Sequence, residues 1–290
     1  MIRIGIDLGG TKISGIALDD KGKPLAYHRL ETPSGNYEAT LQAIADLLSI
    51  LEAQTESVPS VGIGTPGAIS PAGGHLRNSN STCLNGKPLK EDLQRLLNKT
   101  VIMANDADCF TLSEARDGVA KDAESVVGVI LGTGVGGGLV VHGKLLHGVN
   151  AIAGEWGHNP LPWMNTGEHP GEPCYCGKTG CIETFISGPG MSRHYQLSGG
   201  QWMDARELVA LATSDKRAEK YLDDYIDRLS RALAGVINIL DPEAIVLGGG
   251  LSNISALYDQ VPRCWQQYVF SDCVETRLLK NAHGDDSGVR

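Results

Sequence analysis

Ile2, Ile4, Ile6 and Leu8 alternate with other residues, Gly9 and Gly10 interrupt the run, and residues 13–18 resume it. That pattern predicts a strand, a tight turn and a second strand. Residues 24–32 supply a third. Tyr37, Leu41, Ile44, Ala45, Leu48 and Leu51 recur at helical spacing, and residues 58–64 form a short apolar strand ending at Gly64-Thr65-Pro66-Gly67. A helix over 90–97, a strand over 100–104 and a helix over 106–115 continue the alternation, which predicts an α/β sheet. The polar stretch 116–124 reads as a linker.

Residues 126–141 then repeat residues 5–18 at an offset of 123. Ile4, Ile6, Leu8, Gly9, Gly15, Ile16 and Leu18 fall on Val127, Val129, Leu131, Gly132, Gly138, Leu139 and Val141, so two similar domains facing each other are expected. Ala218, Tyr221, Leu222, Tyr225, Ile226, Leu229, Leu233, Val236, Ile237 and Leu240 mark one long amphipathic helix, stopped by Asp241-Pro242. A short strand over 244–247 runs into Gly248-Gly249-Gly250. The expected division is 1–118 for a first domain, 119–278 for a larger second one, and 279–290 for a return toward the first.

Composition narrows the classes. A chain of 290 residues allows two domains at about 150 residues each. Its 37 glycines are nearly twice ordinary usage at about 7%, and they cluster without collagen-like period. Net charge is −9, which disfavours nucleic acid and anionic membrane surfaces as partners. No apolar run approaches the roughly 18 residues of a spanning helix, and the first ten residues read as strand and turn, not as a signal peptide, so a cytoplasmic location is expected. Seven cysteines, an odd number with three crowded into 174–181, argue against a disulfide framework and for a metal.

The glycine turns and their neighbours are where chemistry concentrates. Asp7, Gly9, Gly10, Thr11 and Lys12 bring a carboxylate, close-approaching backbone, a hydroxyl and an ammonium to one turn; this suits a polyphosphate, with Asp7 holding magnesium directly or through water. A plain glycine hairpin explains the same residues equally well, and neither the Walker A nor the dinucleotide fingerprint fits. The second cluster, with Gly132, Thr133, Gly134 and Gly136, repeats the solution, and Gly248, Gly249 and Gly250 add a third run after a strand. Two domains gripping one nucleotide account for this better than turns alone. Asp106 follows a strand and opens a helix, where open α/β sheets bind ligands; it is the candidate general base, with helix capping by Asp106 or Asn105 as the alternative. His158, Cys174, Cys176 and Cys181 form Gly-His followed by Cys-x-Cys-Gly-x-x-Gly-Cys, four N/S ligands for a closed, structural zinc; free thiols are the alternative. Such a zinc-fixed loop would carry Glu155 and Glu183 toward one place, where carboxylates suit sugar hydroxyls.

Taken together, these motifs resemble the ROK family of bacterial sugar kinases and repressors, within the actin/hexokinase superfamily. Residues 7–12 look like its first phosphate loop, 132–138 its second, 248–250 its adenosine motif, and Glu155-x-Gly157-His158 with Cys174, Cys176, Cys181 and Glu183 its signature. The resemblance spans residues 2–290. It implies an actin-like ATPase (ribonuclease H-like) α/β fold, duplicated in two domains with an interdomain cleft. It also implies ATP, Mg2+ and a structural Zn2+ as cofactors, and a homodimer.

On these positions the resemblance implies Asp106 as the base, with Asn80, Asn105, Glu155, His158 and Glu183 around a hexose. His158 would bind zinc through one ring nitrogen and the sugar through the other. Residues 78–82, 155–163 and 174–188 look like the manno(fructo)kinase branch, which makes fructose the expected acceptor at its 6-hydroxyl, with mannose next. Glucose or an N-acetylhexosamine is the alternative. Another class, a sugar-sensing repressor, would carry an N-terminal helix-turn-helix, for which the loop at Asp7 leaves no room, and the charge offers no basic DNA-binding surface. A non-catalytic nucleotide-binding protein would not call for Asp106. Family members usually run past residues 284–288 into a last helix, so packing on the first domain is expected to be missing.

Overall fold

The computed structural model describes residues 2–55, 60–79, 81–284 and 288–289. Contacts group the chain into two units, one of residues 1–113, 145–153 and 286–290, the other of 114–144 and 154–285. The division falls between Ser113 and Glu114, ahead of the polar stretch at 116–124. Glu114 supplies the reason: its fully buried carboxylate accepts N–H groups of Val119, Ala282 and His283, all in the second unit.

In the first unit, β1 (Arg3–Leu8), β2 (Lys12–Leu18) and β3 (Pro24–Glu31) form an antiparallel meander. After α1 (Tyr37–Glu52), β4 (Ser60–Thr65) joins β1 in parallel. Val58 and Pro59, where the apolar pattern starts this strand, lie outside the described residues. A ribbon of β5 (Ala68–Ile69) and β6 (Leu76–Arg77) precedes α2 (Leu89–Leu97), β7 (Thr100–Asn105) and α3 (Asp106–Arg116). The sheet order is β3-β2-β1-β4-β7. Helix α1 starts where the Asn36 side chain accepts the Ala39 N–H, and it buries Leu41, Ile44, Leu47, Leu48 and Leu51 on the sheet. Val289 is buried against Ile16 and Leu18.

The second unit repeats the plan. Strands β8 (Ser125–Leu131) and β9 (Val135–Val141) form its hairpin, with β10 (Lys144–Leu145) at the edge. After α4 (Ile182–Ile186), α5 (Gly188–Leu197), α6 (Ala205–Leu211) and α7 (Lys216–Leu240), β11 (Ala244–Gly248) pairs in parallel with β8. Beyond α8 (Ala256–Cys264), β12 (Arg277–Lys280) completes the order β10-β9-β8-β11-β12. The 25-residue α7 begins at Asp215, whose side chain accepts two N–H groups, and stops at Asp241 in the left-handed region before Pro242. No described helix is long and apolar enough to cross a membrane.

The duplicated hairpins differ by one step of register. Ile6 pairs with Gly15, whereas Val129 pairs with Gly137. Four residues bridge Leu8 to Ile13, but only three bridge Leu131 to Val135. The offset of 123 therefore holds for the first strand of each hairpin and falls to 122 in the second, so Gly15 matches Gly137 and not Gly138. Because side chains alternate faces, this step matters. A Cβ on Gly15 would lie 2.7 Å from Leu51, and one on Gly137 2.8 Å from Trp156, so each glycine clears the same packing face.

A buried ionic network holds the long insertion between β10 and α4 onto α7. Arg231, almost fully buried, donates to Glu168 through both terminal nitrogens at 2.8 and 2.9 Å, and Arg228 Nε donates at 2.7 Å. Arg231 also donates to Asp227 and to the carbonyls of Pro162 and Trp163. Burial alone would raise the Glu168 pKa; hydrogen bonds from Arg231, Arg228 and the Asn165 N–H outweigh it and hold the group at about 2. Its contribution to stability is fully present above the ordinary value of 4.5 and is lost as pH falls toward 2. Glu168→Gln should cost about 3 kcal/mol by leaving Arg231 incompletely paired, and should remove that part of the acid limb; urea denaturation across pH 3–7 checks both.

Candidate active site and metal centre

In the first unit, two of the candidate carboxylates stand at the carboxyl edge of the sheet. Asp7, one residue from the end of β1, pairs with Gly64 of β4, and Gly64 pairs with Ala104 of β7. Asp106 follows β7 directly as the first residue of α3. Strand spacing puts β1 and β7 about 10 Å apart, on either side of a β4 position without a side chain. A Cβ on Gly64 would come 3.2 Å from Cys109 Sγ and 3.3 Å from the Gly288 carbonyl. Gly288 in turn lies against the Asp7 carboxylate and the Asp106 backbone. Burial pushes the Cys109 thiol up to about 12, and the neighbouring charges of Asp106, Asp108 and Asp7 add to this.

Asn105 and Asp106 share the capping role. Asn105 Oδ1 accepts the Ala107 N–H at 2.8 Å while its Nδ2 donates to the Gly67 carbonyl at 3.0 Å. Asp106 Oδ1 accepts the same N–H at 2.8 Å, at a helix N-terminus that favours negative charge. At the hairpin tip, the Gly9 N–H donates to the Lys12 carbonyl, and Thr32 clamps the turn through the carbonyls of Gly9 and Thr11. Gly10 and Thr11 are exposed there. Asn80 lies outside the described residues; its neighbours Ser79 and Asn85 bond to each other twice.

In the second unit, the two later glycine runs leave the sheet at one edge, because β8 and β11 are parallel neighbours. Gly249 touches the end of β8: with φ +77°, it carries no side chain where a Cβ would lie 2.5 Å from the Leu131 carbonyl oxygen. The turn at Gly132, Thr133 and Gly134 is closed by a Gly132 N–H to Gly134 carbonyl bond, and the Gly136 carbonyl accepts from Trp156 Nε1. Its outer contacts come from the segment that follows Cys181. Glu183 Oε2 accepts the Val135 N–H at 2.9 Å, and the Gly188 N–H donates to the Gly132 carbonyl at 2.8 Å.

His158, Cys174, Cys176 and Cys181 converge so that one ligand atom from each lies within 4.8 Å of the others. Zinc bonds of about 2.3 Å to sulfur and about 2.0 Å to nitrogen imply tetrahedral edges of about 3.8 Å between sulfurs and about 3.5 Å between sulfur and nitrogen. The separations of 3.6 Å for Cys176 to Cys181 and 3.5 Å for Cys174 to His158 Nδ1 fit such an ion. All seven cysteines are free thiols. Gly177 and Gly180, both at positive φ, turn the chain between the sulfurs.

The other His158 nitrogen, Nε2, meets the Tyr175 hydroxyl at 3.0 Å. Sequence reasoning passed over Tyr175, although it stands between two of the clustered cysteines, Cys174 and Cys176. Partial desolvation, and then the charges of Glu183 and Glu155, push its phenol up to about 12. Glu155 is exposed. The cluster thus offers carboxylate, imidazole and phenol to a polyhydroxylated ligand.

The model of the ROK family matches residues 3–290. An N-acetyl-D-glucosamine kinase of Vibrio atlanticus (strain LGP32) is 38% identical over 291 residues, covering 99% of this chain and 96% of that protein. The ROK hexokinase of Thermus thermophilus has a TM-score of 0.88 at 28% identity, over 100% of this chain and 95% of that one. A ROK family glucokinase from Streptomyces griseus, in complex with glucose and AMPPNP, shares the fold with a TM-score of 0.80 at 24% identity, over 100% and 97% of the two chains. The preference for fructose finds no support among these relatives. For the metal, purified protein should contain about one zinc per chain by elemental analysis, and Cys176→Ser should lose it; stoichiometric zinc in that variant would exclude the four-ligand site.

Proposed function

The chain belongs to the ROK family and is an ATP-dependent sugar kinase of the actin-like ATPase fold, and from that premise we propose that its acceptor is N-acetyl-D-glucosamine, phosphorylated at the 6-hydroxyl. The observation that carries the acceptor is the 38% identity, across nearly the whole of both chains, to an N-acetyl-D-glucosamine kinase.

A sugar hydroxyl is a weak nucleophile, and Asp106 would accept its proton as the new O–P bond forms. Asn105 holds the start of α3, and so fixes where that carboxylate stands. Phosphate-binding backbone is proposed within each unit by itself, at Gly9, Gly10 and Thr11 with Lys12 in the first and at Gly132, Thr133, Gly134 and Gly136 in the second, where Gly248, Gly249 and Gly250 would take the adenosine. Asp7 would hold magnesium, which when bound offsets the charge of the transferred phosphoryl group. The groups proposed for hexose hydroxyls are Glu155, His158 and Glu183 in the second unit and Asn80 and Asn105 in the first, each taken within its own unit. His158, Cys174, Cys176 and Cys181 would hold zinc, which when bound fixes the loop that carries those groups. ATP use and free thiols support a cytoplasmic location, and the family resemblance supports a homodimer.

A coupled assay of ADP release across a panel of hexoses tests the acceptor. N-acetyl-D-glucosamine should give the highest kcat/KM; fructose or mannose in first place would replace it, and no turnover with any sugar would favour a sugar sensor. Asp106→Asn should lower kcat about 1,000-fold, with sugar and nucleotide affinities changed less than about threefold. Wild-type turnover by that variant would remove Asp106 from the chemistry.

A further inference from the structure

The segment that follows the last cysteine of the metal cluster grips both ends of the second glycine turn. Cys181 is the residue that caps α4. Glu183, in the first turn of that helix, accepts the Val135 N–H where β9 begins, and Gly188, at the start of α5, donates to the Gly132 carbonyl where β8 has ended. Between these points the turn lies directly on the carboxylate: a Cβ on Gly134 would come 2.7 Å from Glu183 Oε2. With glycine on both sides of Thr133 the turn has little side chain of its own to order it, and its glycines lose more backbone freedom on ordering than other residues would. Its shape is therefore set by what holds it from outside.

We infer that Glu183 is a positioning residue for the nucleotide phosphates, holding the turn at 132–135 in its receptive shape and making that shape depend, through α4, on the metal cluster. The inference rests on the kinase reading, in which this turn meets ATP. Glu183 is also among the groups assigned to the hexose. One oxygen is committed to Val135, so a sugar hydroxyl bound by the other couples acceptor and nucleotide through a single side chain, and each ligand tightens the other by the same factor. An ordinary sugar ligand carries no such consequence for a nucleotide measured alone.

Calorimetric titration of the metal-loaded full chain with magnesium AMPPNP, without sugar, reads the effect. Glu183→Ala should weaken nucleotide binding about tenfold, the scale of one hydrogen bond to a charged acceptor. Glu183→Gln, whose amide oxygen still accepts the Val135 N–H, should stay within about threefold of the wild type. Amide hydrogen exchange over 132–138 supplies a readout independent of nucleotide: faster in Glu183→Ala, near the wild-type rate in Glu183→Gln, and faster in wild-type protein stripped with a chelator. Unchanged affinity and exchange in Glu183→Ala overturn the inference while leaving the kinase reading intact. Unchanged exchange in the stripped wild type overturns its metal arm, even if the alanine variant cannot be purified. A wild-type chain that binds no AMPPNP sinks the kinase reading itself.

Discussion

One glutamate sits among two arginines under the longest irregular stretch of the chain, and the insertion that carries the Cys/His cluster rests on that neutralisation. Glu168 is buried and bonded to Arg228 and Arg231 of α7, while Arg231 reaches on to two backbone carbonyls of the same insertion. Leaving any of these groups unpaired in a low-dielectric setting would cost more than the pair contributes when intact. The consequence is positional. A stretch poor in regular structure is given a fixed base on a 25-residue helix, and the cysteine cluster is built within it.

From that base the order passes along the chain. Cys181 is both a candidate ligand and the cap of α4, and the first turn of α4 carries Glu183 to the glycine turn. The Cys/His cluster, Glu183 and the glycine turn at 132–134 are thereby made mechanically continuous within the second unit. In the first unit the logic is simpler: parallel strands end together, and Asp7 and Asp106 stand at those ends with a glycine between them. This is the edge at which open α/β sheets place their ligands.

Much of this was legible in the sequence because it depends on local periodicity or on spacing along the chain. Alternation marked the hairpins, the stripe of Tyr221, Tyr225, Leu229 and Leu233 marked α7, and the spacing of Cys174, Cys176 and Cys181 marked a cluster that the fold brings together. The short helices α4, α5 and α6 were not foreseen; they hold five, ten and seven residues and are set by caps and packing more than by a long apolar stripe. Tyr175 gave no periodic signal, and its meeting with His158 is created by the turn between the sulfurs. The fructose expectation finds no support among the relatives for a related reason. Loop motifs are shared between branches of a family, whereas the choice between hexoses is made by the walls of a pocket.

By itself the sequence determined the α/β class, the duplication, the two carboxylates at strand ends and the Cys/His cluster as a group, since each follows from side-chain period, glycine tolerance or the spacing of residues along a short stretch. Only the tertiary structure decided the register of the second hairpin, the division of the chain at Glu114, the tie of Asn105 to the Gly67 carbonyl and the grip of Glu183 on Val135. Those four depend on which distant backbone groups meet, and hydrogen-bond partners separated by tens of residues leave no mark on the pattern of apolar and polar positions.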